Sequence, residues 1–205
     1  MKKVICIILS FLFVLPLAAC GSSLKMTIGK FMEKYHHADL DEICEDPTEF
    51  LKDYDAATWY QAPREEINST FIGWTKDDTL SDYGDEYYRK NTVLLNIPVE
   101  IRGSVYYNSY DTESNRLAFY ISFESPKTED NFKFAQSICE YCFKRESIKE
   151  ARISGRDADE YDLRSLFISG EYKYFTVEFE TVHVTFFYAE YSQTSYVSIY
   201  TYEAE

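Results

Sequence analysis

The sequence predicts an α+β fold, with helices packed against antiparallel sheet. Three observations lead to it. Helical apolar spacing is confined to the N-terminal third and one later stretch, while strict alternation fills much of the rest. The last three strand-like runs, Tyr172–Glu180, Thr181–Tyr191 and Thr194–Glu203, follow one another too closely for crossovers, so they form antiparallel hairpins. With aromatics at 18% and only 7 Gly and 5 Pro, the chain has the apolar bulk to fold and is not a low-complexity segment.

Along the chain, Ile28, Phe31, Met32 and Tyr35 fall at i, i+3, i+4 and i+7, one apolar helical stripe. Asp39-Leu40-Asp41-Glu42 has a capping Asp followed by an acidic third position, which opens a second short helix. Asp46-Pro47-Thr48-Glu49 repeats that signal ahead of Phe50, Leu51 and Tyr54, with helix expected to stop before Pro63. A strand is expected at Ser69–Thr75 and a loop through the acidic stretch Lys76 to Lys90. From Val93 to Tyr107 every odd position is apolar or small, a phase kept through Pro98, which predicts one bent edge strand or two strands in line. Arg116–Glu124 alternates with Leu117, Phe119, Ile121 and Phe123 inward. A longer helix capped by Thr128 then carries Phe132, Ala135, Ile138, Cys139, Cys142 and Phe143, and a short helix is expected within Asp157–Phe167.

The N-terminus carries a different kind of signal. Met1-Lys2-Lys3 is a short cationic segment, Val4 to Leu15 is uncharged, and Pro16 precedes Leu17-Ala18-Ala19-Cys20. The apolar run is too short to span a bilayer, which takes about 20 residues. Charge, apolar run and small residues in that order read as a secretion signal. The four residues ending in Cys20 resemble the lipobox of bacterial lipoproteins. That resemblance implies cleavage before Cys20 and a diacylglycerol on its thiol, hence a protein attached by lipid to the outer side of the cell membrane. The expected organisation is a signal at 1–19, a lipidated Cys20 with a tether to residue 23, and one α+β domain over 24–205. Its order allows two α-β-β-β units, at 24–125 and 126–205. The layout also resembles the tandem helix-then-sheet modules of secreted β-lactamase-inhibitor-like proteins and small envelope lipoproteins.

Charge narrows the partners. The signal holds Lys2 and Lys3 and no acid, so the body keeps 19 basic residues against 35 acidic, a balance of −16. Such a surface argues against nucleic acid, where basic patches supply affinity, and against direct docking on anionic headgroups. The membrane is reached through the lipid on Cys20.

The chemistry-bearing clusters read as structural. Cys139-Glu140-Tyr141-Cys142 matches C-x-x-C, yet redox chemistry needs the first Cys at a helix N-terminus, and here it lies well inside a helix on the apolar stripe. With Cys44 these are the three thiols of the body, enough for at most one internal disulfide. His36 and His37 point about 100° apart on a helix and do not readily share an ion. Counting back from Gly84 puts Thr79, Ser81 and Tyr83 where a calcium loop needs acids, and Asp157–Asp162 reads as a solvated loop. No metal or cofactor is expected. There is no G-x-S-x-G, H-E-x-x-H, G-x-G-x-x-G or P-loop, and His183 alternates on a strand, so no catalytic residue is assigned.

The tyrosines remain. With Phe175, Val177, Phe179, Val184, Phe186, Val197 and Ile199 inward, the opposite face carries Tyr172, Tyr174, Tyr196, Tyr200 and Tyr202, joined by Tyr106 and Tyr120 from earlier strands. Rings with hydroxyls suit a protein or wall-polymer partner. The expected function is a lipid-anchored, non-catalytic binding module of the cell envelope; the alternative is an envelope hydrolase with an acidic site.

Overall fold

The structure, a computed structural model, describes residues 26–58, 60–61, 64–79, 85–106 and 116–202. The signal, Cys20 and the tether therefore lie outside the described residues, as does Gly84 in the acidic stretch. The chain is α+β, as its patterning predicts. Its helices are α1 (Ile28–Tyr35), α2 (Leu40–Glu45), α3 (Thr48–Thr58), α4 (Arg64–Thr70), α5 (Thr128–Cys142) and α6 (Glu160–Ser169). Its strands are β1 (Tyr60–Gln61), β2 (Thr75–Lys76), β3 (Asp85–Leu94), β4 (Ile97–Tyr106), β5 (Arg116–Ser125), β6 (Glu150–Ile153), β7 (Arg156–Asp157), β8 (Phe175–Glu178), β9 (Val182–Ala189) and β10 (Thr194–Thr201). One antiparallel sheet orders them β2-β3-β4-β5-β10-β9-β8-β6-β7, with β1 also on β5. Each half ends in a three-strand meander, β3-β4-β5 and β8-β9-β10. The two final strands meet at a central seam where Ser125 faces Ser195 and Ile121 faces Ile199.

Local chemistry explains most of the helix starts. The Asp39 carboxylate accepts from the Asp41 N–H at 2.8 Å, and Asp46 accepts from Thr48 at 3.1 Å. Asp159 and Asp162 form a reciprocal capping box at α6, and Gly170 closes that helix at φ 66°, a left-handed conformation glycine adopts without strain. At α5 the expected cap is replaced. Thr128 is the first helical residue, and the Ser125 hydroxyl accepts from the Lys127 N–H at 3.0 Å one turn earlier.

Three expectations are corrected. Ser69–Thr75 is not a strand: α4 occupies Arg64–Thr70, where Ser69 and Thr70 donate back to the Glu66 carbonyl at 2.7 and 3.2 Å. Buried Ile67 and Phe71, four apart, hold it to the core. The run from Val93 is neither a bent strand nor two in line: Val93 and Leu94 end the first strand of a hairpin and Ile97–Tyr106 is its second, while Asp85–Lys90, expected in a loop, begins the first. The turn is two residues, Leu95 and Asn96, both at positive φ (54° and 57°), the geometry that lets tight turns follow strand twist. Leu94 and Ile97 face each other as an inward pair, so the phase inverts across the turn and Val93 lies on the outer face. Strands β6 and β7, joined through Ser154 and Gly155 at positive φ, are too short to show as a pattern.

All six described helices lie on one side. Phe31 of α1 packs on Phe119, Phe132 of α5 on Phe175 and Phe186, and Phe167 of α6 on Phe175. At the β3–β4 end the Phe71 ring stacks on Tyr88 and lies on Gly103, where a Cβ would meet it at 2.8 Å. Helix α2 rests against α5, where Lys133 reaches Asp41 at 2.7 Å. The core is this single layer between helices and sheet. Two buried polar side chains cross it to the seam. The Tyr54 hydroxyl donates to the Ile199 carbonyl at 2.6 Å and accepts from the Ile121 N–H at 3.4 Å. The Asn131 amide donates to Phe123 O, Ser195 O and Ser195 Oγ at 2.9, 3.1 and 2.9 Å.

Cys44, Cys139 and Cys142 are all free thiols. Cys139 and Cys142 are fully buried, and burial pushes both thiols up, Cys142 to about 12. Native protein at pH 8 should therefore resist alkylation at both positions until denaturant is added. Rapid native labelling of Cys139, read by peptide mapping, would instead mark it as a reactive thiol. Cys142→Ala should cost about 1–2 kcal/mol by removing sulfur from a packed stripe.

Candidate interaction surface

Because every described helix sits on one side, the other face of the sheet has no protein layer over it among the described residues. Strand alternation decides what it displays. On β8, β9 and β10 the outward positions are Tyr174, Thr176, Glu178, His183, Thr185, Phe187, Tyr196, Ser198 and Tyr200, each half-buried or exposed, while Phe175, Val177, Val184, Phe186, Val197 and Ile199 between them are fully buried.

Six of the seven expected tyrosines lie on this face. Tyr106 is 57% exposed at the end of β4, and Tyr120 is half-buried on β5. Tyr200 and Tyr202 are each 38% exposed. The rings form two clusters. Tyr174, Phe187 and Tyr196 make a chain with successive centroids 6.1 Å apart, and the Tyr196 hydroxyl donates to Glu124 at 3.0 Å. Tyr120, Tyr200 and His183 make the other, at 5.5 and 5.8 Å.

Tyr172 does not belong to this face. It precedes β8, so alternation does not reach it, and its ring packs on Phe132 of α5 at 5.3 Å on the helix side. Phe187, 43% exposed, was missed, although alternation from Val184 and Phe186 assigns it outward. Arg89 and Arg102 were missed as well, because they become neighbours only through the β3–β4 register.

His183 is bound into the face rather than poised in a cleft. Its Nε2 sits 2.6 Å from Thr176 Oγ1 and 3.2 Å from Thr185 Oγ1, and its Nδ1 is 3.3 Å from the Tyr202 hydroxyl. Burial lowers its pKa, against the opposing pull of Glu178 and Glu150, so the neutral imidazole is favoured. His36 and His37 stay apart from this region. The His36 Nδ1–H donates to the Val93 carbonyl at 2.7 Å and so helps hold α1 to the hairpin.

The larger grooves lie on the helix side. One of about 640 Å³ runs between the α2–α3 junction and α5, lined by Cys44, Thr48, Lys133, Tyr141 and Arg145. Another of about 730 Å³ opens below α3, where Glu146 accepts from the Thr181 N–H and hydroxyl at 2.8 and 2.6 Å. No group of three or more His, Cys, Asp or Glu among the described residues is placed to hold a metal ion. No helix among the described residues is long and apolar enough to cross a membrane. In comparisons with known proteins, no family model, no curated protein and no solved structure matches this chain.

Proposed function

We propose that the chain is an extracytoplasmic lipoprotein, anchored to the membrane through Cys20, and that it serves the cell envelope as a non-catalytic binding module. The observation that carries the reading is the uncovered outer face of the sheet, with Tyr106, Phe187, Tyr200 and Tyr202 between 38% and 57% exposed beside half-buried Tyr120, Tyr174 and Tyr196. Tyrosine gives a large contact area and a hydroxyl while losing little rotamer freedom on binding, which is why it recurs at binding hot spots. Half-buried Glu178, paired across the strands with His183 and Glu150, keeps that end of the face polar. The hydrolase alternative needs catalytic groups converging in a cleft; acids do line the helix-side grooves, Glu45, Asp46 and Glu140 in one and Asp157, Asp162 and Glu171 in another, but His183 lines none of the described grooves.

The test is binding to isolated cell-envelope material with and without the rings. Tyr174→Ser with Tyr200→Ser should weaken binding at least tenfold, since hot-spot tyrosines each contribute about 2 kcal/mol. Both side chains lie outside the core, so the melting temperature should fall by only a few degrees. Unchanged envelope binding in a folded double variant would overturn this role for the face.

A further inference from the structure

Register turns the outer face into rows, and one row stands apart. Thr75 faces Arg89, Arg89 faces Arg102, and Arg102 faces Tyr120. The Tyr120 ring meets Tyr200 across the seam at 5.5 Å, and from there the row continues Tyr200, His183, Glu178, Glu150. It contains two directly opposed like-charge pairs, Arg89 with Arg102 at one end and Glu178 with Glu150 at the other. Such pairs oppose strand pairing unless something neutralises them. At the acidic end Arg152 reaches Glu150 at 2.7 Å, and at the basic end Arg102 reaches Glu100 through Nε at 2.6 Å. Arg89 is exposed and forms no ion pair among the described residues, in a chain where acids outnumber bases 35 to 21. A cavity of about 70 Å³ opens beside it, lined by Asp77, Tyr87, Tyr88, Arg89, Arg102 and Tyr120.

We propose that this cavity is a subsite for the carboxylate of an acidic sugar, so that the ligand of the outer face is a uronate-bearing glycan. The inference rests on the reading of that face as a binding surface. The space is small, about 70 Å³, the scale of a charged group with a few waters. Guanidinium forks match carboxylate geometry, and the two arginines lie on one row, so a single anion between them relieves their repulsion. Asp77 sets the kind of anion. Its Oδ1 already accepts from the Thr79 N–H and hydroxyl at 3.1 and 2.6 Å. The carboxylate in the lining disfavours a phosphate dianion more strongly than a monoanion, and a uronate carries a monoanionic carboxylate beside its hydroxyls. The rings of Tyr120 and Tyr200 extend from the cavity as a stacking surface for the next sugar. An acidic peptide would supply the carboxylate without the neighbouring hydroxyls. The body's negative charge opposes a polyanion at long range, but beyond about 8 Å at physiological ionic strength that field is screened and the local pair governs.

The test uses the mature full-length protein in nanodiscs of zwitterionic lipid, titrated with trigalacturonate, neutral trigalactose, inorganic phosphate and triglutamate. Trigalacturonate should bind at least tenfold tighter than the other three. Arg89→Gln and Arg102→Gln should each weaken it about tenfold. Arg89→Gln should melt no lower than the parent, because it removes a like-charge contact, so lost affinity cannot be ascribed to misfolding. Failure of trigalacturonate to bind, or equal affinity in parent and Arg89→Gln, overturns the subsite. Phosphate or triglutamate binding as tightly as the uronate overturns the sugar assignment. If Tyr174→Ser with Tyr200→Ser loses envelope binding while Arg89→Gln keeps it, the subsite fails and the binding face stands.

Discussion

Tyr54→Ala is expected to destabilise the fold by about 4 kcal/mol, and Tyr54→Phe by about 2 kcal/mol of that. The ring supplies one part. Tyr54 is fully buried in α3 and its centroid lies 5.8 Å from Phe31, 6.1 Å from Phe50 and 5.6 Å from Phe119, so its loss opens a cavity where α1, α3 and β5 meet. The hydroxyl supplies the rest. It bridges Ile121 N and Ile199 O at the last registered pair of the β5–β10 seam, where the strands begin to part. A phenylalanine there leaves two buried main-chain groups without that bridge, and each unsatisfied group costs about 1–3 kcal/mol. The two meanders pair only along this seam among the described residues, so the loss should reach the whole molecule and not one half. In a chain of this size 2 kcal/mol corresponds to about 4–8 °C in the midpoint. Urea unfolding measures it: a Tyr54→Phe variant within 0.5 kcal/mol of the parent would show that the bridge contributes nothing. Asn131→Leu should cost less, about 1–2 kcal/mol, because its Oδ1 is itself buried without a partner and that penalty disappears with the amide.

What was legible followed from short-range chemistry. Caps at Asp39 and Asp46 and alternation along β5, β8, β9 and β10 are properties of a few adjacent residues, and those elements lie where they are expected; Asp159 to Asp162, read as a solvated loop, instead caps and opens α6. The misses share a cause. The β3–β4 hairpin turns at Leu95-Asn96, two residues without glycine, and the apolar run passes through it without a break. Leu95 fits because it is buried against α1, its N–H donating to the Tyr35 carbonyl at 2.8 Å, a tertiary reason that no local pattern carries. Helix α4 had a readable start, Pro63 followed by Glu65 and Glu66 in the first turn, which the strand-like Ser69 and Thr70 outweighed. For the surface, alternation identified six tyrosines of the outer face and failed only at Tyr172, three residues before β8 begins. Arg89 beside Arg102 could not be read, since register between strands is set by turn lengths and packing across the sheet.

Cys20→Ser is expected to abolish lipid attachment altogether, the largest functional loss any single substitution in this chain should produce. At −16 the body is repelled by anionic headgroups, and none of its described helices can cross a bilayer. Under the proposed anchoring, membrane residence would depend on acyl chains, each buried CH₂ contributing about 0.8 kcal/mol, with two chains enough for stable anchoring where one is marginal. The parent should stay in the membrane pellet through high-salt washing and leave it only with detergent, because salt screens charge but strengthens apolar association. The Cys20→Ser chain lacks the thiol that the lipobox resemblance assigns to diacylglycerol, so it should be kept as uncleaved precursor or released. Intact mass separates these outcomes from the parent. The native protein should begin at Cys20 and carry diacylglycerol, whereas a parent polypeptide that begins elsewhere, or bears no lipid, would remove the anchor. The anchor also bears on access. On the proposed anchor, the three residues Gly21-Ser22-Ser23 could span at most about 10 Å, which would keep the body near the bilayer. A variant lacking lipid but folded should keep its affinity for a soluble ligand and lose only its place in the envelope, which separates the contribution of the anchor from that of the sheet face.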